Sequence, residues 1–181
     1  MCNNFNKKFI DEASKALRDQ NEDASDDAYG YMKQAAAIAI KGVLQNEGGP
    51  FGCVIIKGGE IIGRGNNKVT SSNDPTAHAE IMAIREACKT LNSFQLEDCI
   101  IYTSCEPCPM CLGAIYWARP KKVYYGCSKT DAAKIGFDDK FIYQELNMEL
   151  SKRKIPFEQL NREEAMKAFK AWEEKEDKIE Y

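Results

Sequence analysis

Two short segments of the sequence carry the residues best suited to hold a metal ion. One reads His-Ala-Glu from position 78, and the other reads Cys-Pro-Met-Cys from position 108. His78, Cys108 and Cys111 offer one imidazole and two thiolates, and a catalytic zinc ion takes three protein ligands and keeps a fourth position for water. Glu80 stands too close to His78 for a convenient fourth ligand, but it is well placed to move protons at that water. The segments therefore predict a catalytic zinc site.

Each segment stands at the expected start of a helix. Residues 77–91 are good helix formers with apolar side chains at a helical period, which predicts a helix with His78 in its first turn. Residues 108–118 also predict a helix, whose proline-rich first turn follows a buried strand. Both cysteines share one face of this helix, and its positive end favours thiolates. Trp117 has the spacing of a buried helix residue, so we expect it to pack in the core.

Cys105 leaves a second kind of metal site open. It stands three residues before Cys108, so a closed structural site of three thiolates and one imidazole would use the same residues. His78 is the only histidine in the chain, which excludes a site with two histidines. The strand–turn–helix context favours the catalytic site. A zinc-stabilised binding module without turnover is the rival function, and Glu80 speaks against it, because a structural site has no use for a carboxylate beside an open position.

The composition is that of one globular domain, or of one domain with an appendage. The chain has 181 residues, of which 44% are hydrophobic and 29% are charged, and its net charge is −3. Such a mildly acidic chain is not expected to bind nucleic acid through basic patches. No apolar run is long enough to predict a membrane span. Eight cysteines without a signal segment predict a reduced, cytoplasmic protein.

The predicted elements follow the order α-β-β-α-β-α-β, which indicates a layered α/β domain over residues 31–181. The first two strands form a hairpin, and the later ones are expected to be parallel. Residues 1–30 are expected to form an N-terminal extension, with an amphipathic helix near 9–17 and a flexible acidic linker at 19–27. The other expected elements are helices at 31–45, 77–91, 108–118, 130–133 and 163–175, and strands at 52–57, 60–64, 99–103, 122–127 and, at an edge, 155–157.

Four segments carry a resemblance to a known family. They read GGPFG from position 48, NDPTAHAE from 73, TSCEPCPMC from 103 and GFDD from 136. The pattern H-x-E followed by P-C-x-x-C is typical of zinc deaminases of the cytidine deaminase superfamily. With the terminal Tyr181, the chain from about residue 31 resembles the short bacterial guanine deaminases, and plant guanosine deaminases share several of these segments. The resemblance implies a three-layer α-β-α domain with a mixed five-stranded sheet.

The resemblance also implies a reaction and a cofactor. The chain would be a zinc-dependent hydrolase that converts guanine to xanthine and ammonia in purine catabolism or salvage. One zinc ion per subunit would lie on His78, Cys108 and Cys111, and a bound water would be acidified to a pKa of roughly 7. Glu80 would take the proton of this water and protonate ring N3, the hydroxide would attack C2, and Glu80 would then protonate the departing amine.

Four further residues are implied to bind the substrate. Asn67 would hold the purine through its amide, and Phe51 would bound the base. Asp139 would select guanine, because N1–H and the 2-amino group are both donors, whereas adenine presents an acceptor at N1. The family exchanges its C-terminal segment, here about 157–181, between the subunits of a homodimer, so that Tyr181 would close the partner's site.

The sequence leaves some alternatives open. The tail is equally compatible with folding back onto its own sheet. Guanosine is harder to exclude than the other substrates, because it has the same base edge as guanine. Cytosine and adenosine in tRNA are further rivals within the superfamily, and the tRNA enzyme would be expected to show a basic substrate face, which this mildly acidic chain does not predict.

Overall fold

The computed structural model describes residues 2–18 and 28–181, in two compact units. The first unit extends to Asp139 and contains the sheet, and the second is Lys140–Tyr181. The acidic linker predicted at 19–27 lies outside the described residues. Within the described residues, every helix is too short or too polar to span a bilayer.

The helices and strands of the first unit alternate largely as the sequence predicts. The helix expected at 9–17 forms the second half of the first helix, and the short stretch before Asn73 is helical where a loop was expected. The helices are α1 (Cys2–Arg18), α2 (Ala28–Leu44), α3 (Val69–Ser72), α4 (Ala79–Leu91), α5 (Pro109–Ala118) and α6 (Lys129–Lys134), and the strands are β1 (Gly52–Lys57), β2 (Glu60–Asn66), β3 (Ile100–Cys105) and β4 (Lys122–Cys127).

The sheet is mixed, with the strand order β2-β1-β3-β4. Strand β1 is antiparallel to both of its neighbours, whereas β3 and β4 are parallel. In the register, Val54 stands opposite Arg64 on one side and Tyr102 on the other. The hairpin and the later parallel pair are confirmed. The parallel pair needs the crossover helix α5, and this connection brings α5 to the end of β3.

Alternate residues of β1 face two different helical layers. Cys53 and Ile55 pack with residues of α4 and α5 in one buried cluster, and Val54 and Ile56 pack with residues of α2 in the other. This two-sided burial explains the uninterrupted apolar sequence of the strand. Helix α1 packs against α2, and Gln34 Nε2 donates a 2.5 Å hydrogen bond to the Ala16 carbonyl oxygen. The limit of the extension at residue 30 stays a prediction.

The fifth strand predicted at 155–157 is wrong, since the described residues form a sheet of four strands. Ile155 and Phe157 are exposed in an irregular segment of the second unit. Pro156 between them has no N–H to donate to a ladder, so the segment lacks both a buried face and a full set of backbone donors.

The expected burial of Trp117 is also wrong, because 62% of its side chain is exposed. Helix α5 buries Cys111, Ile115 and Ala118, which are spaced by four and three residues and so form one stripe. Trp117 lies beside this stripe, with its neighbour Tyr116 still more exposed. The two aromatic side chains therefore add to the exposed apolar surface of α5 and do not pack in the core.

The second unit contains two helices and a short 3-10 turn. They are α7 (Lys140–Leu146), the turn Leu150–Lys152 and α8 (Arg162–Glu174). Asn161 caps α8 by accepting a hydrogen bond from the Glu164 amide at 3.4 Å. No residue of α8 is buried, and its large apolar side chains Phe169 and Trp172 are exposed. The helix predicted at 163–175 therefore exists, and α7 was not predicted.

Candidate metal centre

The predicted zinc ligands lie at the N-termini of α4 and α5. His78 and Cys108 are the N-cap residues of the two helices, each with an extended backbone, and Cys111 lies in the first turn of α5. The structure thus places His78 one residue before the helix that was expected to include it. Because α4 and α5 contact each other on the same face of the sheet, their N-termini bring the three side chains together.

The three side chains form a group of the size that zinc requires. His78 Nδ1 lies 3.5 Å from Cys108 Sγ and 3.5 Å from Cys111 Sγ, and all three ligand atoms lie within 4.8 Å of one another. Tetrahedral zinc with Zn–S bonds of about 2.3 Å and Zn–N bonds of about 2.0 Å separates its ligand atoms by roughly 3.5–3.8 Å. Two sulfurs and one imidazole nitrogen therefore fit zinc by both distance and donor type.

Cys105 does not join this group. Its buried Sγ lies at the end of β3 and donates to the Ser128 carbonyl oxygen at 3.7 Å. Burial, followed by the nearby Cys127, raises the pKa of the Cys105 thiol to about 11, so it stays protonated at neutral pH. Among the described residues the cluster therefore has three members, which argues against the closed structural site and for a metal ion with a coordination position left over.

Hydrogen bonds within the group favour one thiolate before any metal binds. The adjacent Cys111 side chain, followed by the His78 ring, lowers the pKa of Cys108 to about 4, although burial opposes this change. The proximity of Cys108 raises the pKa of Cys111, and burial raises it further. The bond to Cys108 also raises the pKa of His78. A divalent cation would replace the shared protons with its own charge.

Glu80 lies beside the three predicted ligands and is 6% exposed. Its Oε1 accepts a hydrogen bond from Thr103 Oγ1 at 2.8 Å, and its Oε2 accepts one from Cys111 Sγ at 3.4 Å. Burial raises the pKa of the Glu80 carboxyl group above its ordinary value, although these hydrogen bonds oppose the change. A buried carboxyl group next to a metal site is placed to accept a proton from a bound water and to release it again.

Thr103 is a site residue that the sequence analysis missed. It is fully buried in β3, and its side chain points to the face on which α4 lies, where its hydroxyl contacts Glu80. A signal was present, because Thr103 is the polar last residue of an otherwise apolar predicted strand. Such a residue needs a hydrogen-bond partner when it is buried.

Asn67 follows the last residue of β2 and is buried. Its Oδ1 accepts hydrogen bonds from the backbone amides of Gly49 and Val69, both at 3.2 Å. Its own backbone amide donates to the Phe51 carbonyl oxygen at 3.1 Å. These bonds fix the amide plane of Asn67 against the glycine-rich segment that precedes β1. Since the oxygen is engaged, the Nδ2 donor is the group that the side chain can offer to a purine.

Two of the segments that carry the family resemblance meet at an aromatic contact. The rings of Phe51 and Phe137 pack edge to face with centroids 4.9 Å apart. Gly49 allows this contact, because a Cβ at that position would lie 3.0 Å from Phe137 and 3.1 Å from Phe51. The contact anchors the segment that leads to Asp139, and the sequence analysis missed Phe137 as its partner. The role of Phe51 at the base stays a prediction.

Asp139 is partly buried, and the negative charge of Cys108 acts on its carboxyl group. Burial raises the pKa of Asp139, and the negative charge of Cys108 raises it further. A nearby negative charge raises the pKa of a carboxyl group in this way, and the role of Asp139 at the base stays a prediction. Tyr181 ends the second unit with 72% of its side chain exposed.

Comparison with known proteins shows the family. Residues 25–127 match the family model described as the cytidine and deoxycytidylate deaminase zinc-binding region. The chain is 58% identical to guanine deaminase of Bacillus subtilis (strain 168) over 151 residues, which are 83% of this chain and 97% of the relative. The chain belongs to the cytidine deaminase superfamily and, within it, to the guanine deaminase family. The resemblance inferred from the sequence is therefore confirmed.

Structural similarity supports the same family. The X-ray structure of guanine deaminase from Bacillus subtilis matches with a TM-score of 0.84 and 56% identity, over 86% of this chain and 99% of that one. A tRNA-specific adenosine deaminase from Aquifex aeolicus is 42% identical, but only over 52% of this chain and 63% of its own length. The similarity to the tRNA enzyme thus covers only part of this chain, whereas the similarity to the guanine deaminase covers most of it. The family model and the His78, Cys108 and Cys111 cluster together indicate zinc.

Proposed function

We propose that this guanine deaminase family member hydrolyses guanine to xanthine and ammonia, with one zinc ion per subunit held by His78, Cys108 and Cys111. The observation that carries the proposal is the buried carboxyl group of Glu80 beside a three-ligand cluster, at 3.4 Å from Cys111 Sγ. Zinc bound at these ligands supplies a water molecule that is acidic enough to act as a nucleophile near neutral pH. The 58% identity to a guanine deaminase supports the choice of substrate.

Glu80 is the proton carrier of the proposed reaction. It accepts a proton from the attacking water and passes it to ring N3 of guanine as the oxygen adds to C2. It then takes the proton of the new C2 hydroxyl and gives it to the amino group, so that the C–N bond breaks and the C2 carbonyl forms. One water is consumed, and xanthine and ammonia are formed. Its raised pKa suits both directions of transfer, and the hydrogen bond from Thr103 holds one of its oxygens in place.

Asp139 and Asn67 are proposed to recognise the two edges of the purine. The carboxylate of Asp139 accepts hydrogen bonds from N1–H and from the 2-amino group of guanine. Adenine would place its N1 acceptor against the same carboxylate, so that both acceptors would lack a proton. The Nδ2 donor of Asn67 complements an acceptor of the purine. The hydrogen bonds that fix the Asn67 oxygen support this arrangement, since they orient the amide in advance.

The protein is further proposed to act as a homodimer that exchanges the segment of about residues 157–181. Two exposed apolar surfaces support an extensive subunit contact. One is Phe169 and Trp172 on α8, and the other is Tyr116 and Trp117 on α5. Tyr181 would close the site of the partner subunit. A cytoplasmic location belongs to the same proposal, since reducing surroundings keep the ligand thiols available for zinc.

A panel of substrates tests the function. Zinc-loaded protein is incubated separately with guanine, guanosine, cytosine and adenine, and the initial rate of ammonia release is measured. Guanine is expected to be deaminated fastest. A higher kcat/KM for guanosine would instead assign the chain to nucleoside deamination, and release from adenine alone would contradict the role of Asp139.

A further inference from the structure

A cleft lies along the free edge of the sheet, away from the metal ligands. It has a volume of about 660 Å³ and runs beside β2 between α2 and α4. Neither the predicted zinc ligands nor Glu80 lines it. The volume is in the range of clefts that hold small organic ligands, roughly 300–1,000 Å³. The reaction proposed above does not use this cleft.

The charge of the cleft is opposite to that of the chain. It is lined by five cationic side chains and two carboxylates, although the whole chain has a net charge of −3. Lys41 and Lys89 make no ion pair with any described residue. The cationic residues are Lys41, Arg64, Lys68, Arg85 and Lys89. Their concentration in one concave surface creates a positive potential that attracts anions.

The acidic groups nearby neutralise this charge only in part. Glu47 accepts a hydrogen bond from Asn66 Nδ2 at 2.6 Å, and its other oxygen lies 3.6 Å from Lys68 Nζ. Arg85 lies 3.9 Å from Asp74. Both ion pairs exceed hydrogen-bond distance, so Lys68 and Arg85 keep donors for a ligand.

The Glu86 side chain occupies a backbone donor at the free edge of β2. Its Oε2 accepts a hydrogen bond from the backbone amide of Arg64 at 3.2 Å. An extended peptide that added to β2 would need this amide as a donor. The contact therefore favours a small ligand over an added strand.

Ile38 and Met82 give the cleft apolar surface between the charged groups. They are half-buried, one on α2 and the other on α4. A ligand that matches this surface has a flat, weakly polar ring system and more than one negative charge. We propose that the cleft binds a nucleoside phosphate, with its ring system against Ile38 and Met82 and its phosphates on Lys41, Lys89 and the neighbouring cations.

The test measures binding of ADP to the zinc-loaded full chain by calorimetry. ADP is expected to bind once per chain with a Kd below roughly 1 mM, and pyrophosphate and adenosine are each expected to bind more weakly. The double variant Lys41→Glu, Lys89→Glu should weaken ADP binding roughly tenfold or more, because it reverses two charges of the cleft. Its guanine turnover should stay unchanged, which shows that the fold is intact.

The matched control is Lys33→Glu with Lys121→Glu. These lysines are exposed outside the cleft, and the control changes the net charge by the same amount. It should alter the Kd of ADP less than about twofold. Absence of ADP binding, or equal weakening by the two double variants, would overturn the proposal. Pyrophosphate that binds as tightly as ADP would overturn the nucleoside part and leave a site for phosphate alone.

Discussion

Thr103 Oγ1 donates a 2.8 Å hydrogen bond to Glu80 Oε1, and both side chains are shielded from water. The bond joins β3 to the first turn of α4, so it fixes a carboxyl group in the helix that begins directly after His78. A buried carboxyl group without this donor would lose both an orientation and part of its solvation. Thr103 therefore acts on the reaction through the position of Glu80.

Replacing Thr103 by Val should lower kcat for guanine while zinc content stays at the wild-type level. A hydrogen bond to a charged group contributes about 1.5–3 kcal/mol, which corresponds to roughly a 10- to 100-fold loss. KM should change little, because the hydroxyl contacts Glu80 and is not a proposed purine contact. Thr103→Ser is the matched control and should keep most of the activity, since it retains the donor. If the Val variant had a wild-type kcat, Thr103 would have no positioning role.

Three cysteine variants distinguish the proposed ligands from their neighbour. Cys108→Ser and Cys111→Ser should lose most of the bound zinc, because each removes one of three protein ligands. Cys105→Ser should keep it, since the Cys105 thiol bonds to the Ser128 carbonyl oxygen instead. Metal content per chain, measured on the purified proteins by mass spectrometry, checks the expectation. An empty site in the Cys105 variant alone would show that the ligand assignment is wrong.

Local sequence patterns were enough to predict the elements that carry the metal centre. His78 and Cys108 could be placed at helix starts because helix formers follow each of them and start signals precede them. The buried face of α5 could not be predicted in the same way. Its sequence is apolar on nearly every side, so a helical period does not distinguish Trp117 from Ile115. The burial of α5 depends on how it packs against α4.

Contacts between distant segments were beyond prediction from local patterns. Thr103 and Glu80 are 23 residues apart, and their hydrogen bond depends on the register of β3 and the position of α4. The contact of Phe51 with Phe137 likewise joins a residue just before β1 to a residue that follows β4. The prediction of a fifth strand was wrong for a related reason. Residues 155–157 are apolar enough for a strand, but none of the described strands pairs with them.

Asp139→Asn should reduce kcat/KM for guanine by roughly 100-fold or more. The amide keeps one acceptor but turns a donor towards a base edge that carries two donors, so one group on each side is left unpaired. Asp138→Asn is the matched control, because it makes the same change at the exposed neighbouring residue. Steady-state kinetics with both variants decide between the two positions. Unchanged kinetics in the Asp139 variant would move the recognition role elsewhere.

Removing residues 178–181 should leave zinc in place and abolish most activity. The reason is that Tyr181, which is proposed to close the site and exclude water from it, would be missing. Mixed dimers of this truncated chain with a Glu80→Gln chain show whose tail closes which site. If tails are exchanged, the Glu80 of the truncated chain meets the intact tail of its partner, and activity returns.

Two different affinity tags and co-expression allow these mixed dimers to be isolated. One of the two sites in each dimer should then be active. If each tail closed its own site, both sites would stay defective. Verified mixed dimers without activity would therefore reject the exchange of the C-terminal segment.

The central claim is that Glu80 carries protons beside a zinc ion that other residues bind. Zinc content and guanine turnover, measured on the same preparation of Glu80→Gln, test it most directly. We expect one zinc ion per chain and a loss of kcat of about 10²- to 10⁴-fold, as for the removal of a general acid–base group. Full zinc with near wild-type conversion of guanine to xanthine would contradict the claim, and loss of zinc would show that Glu80 maintains the metal site instead.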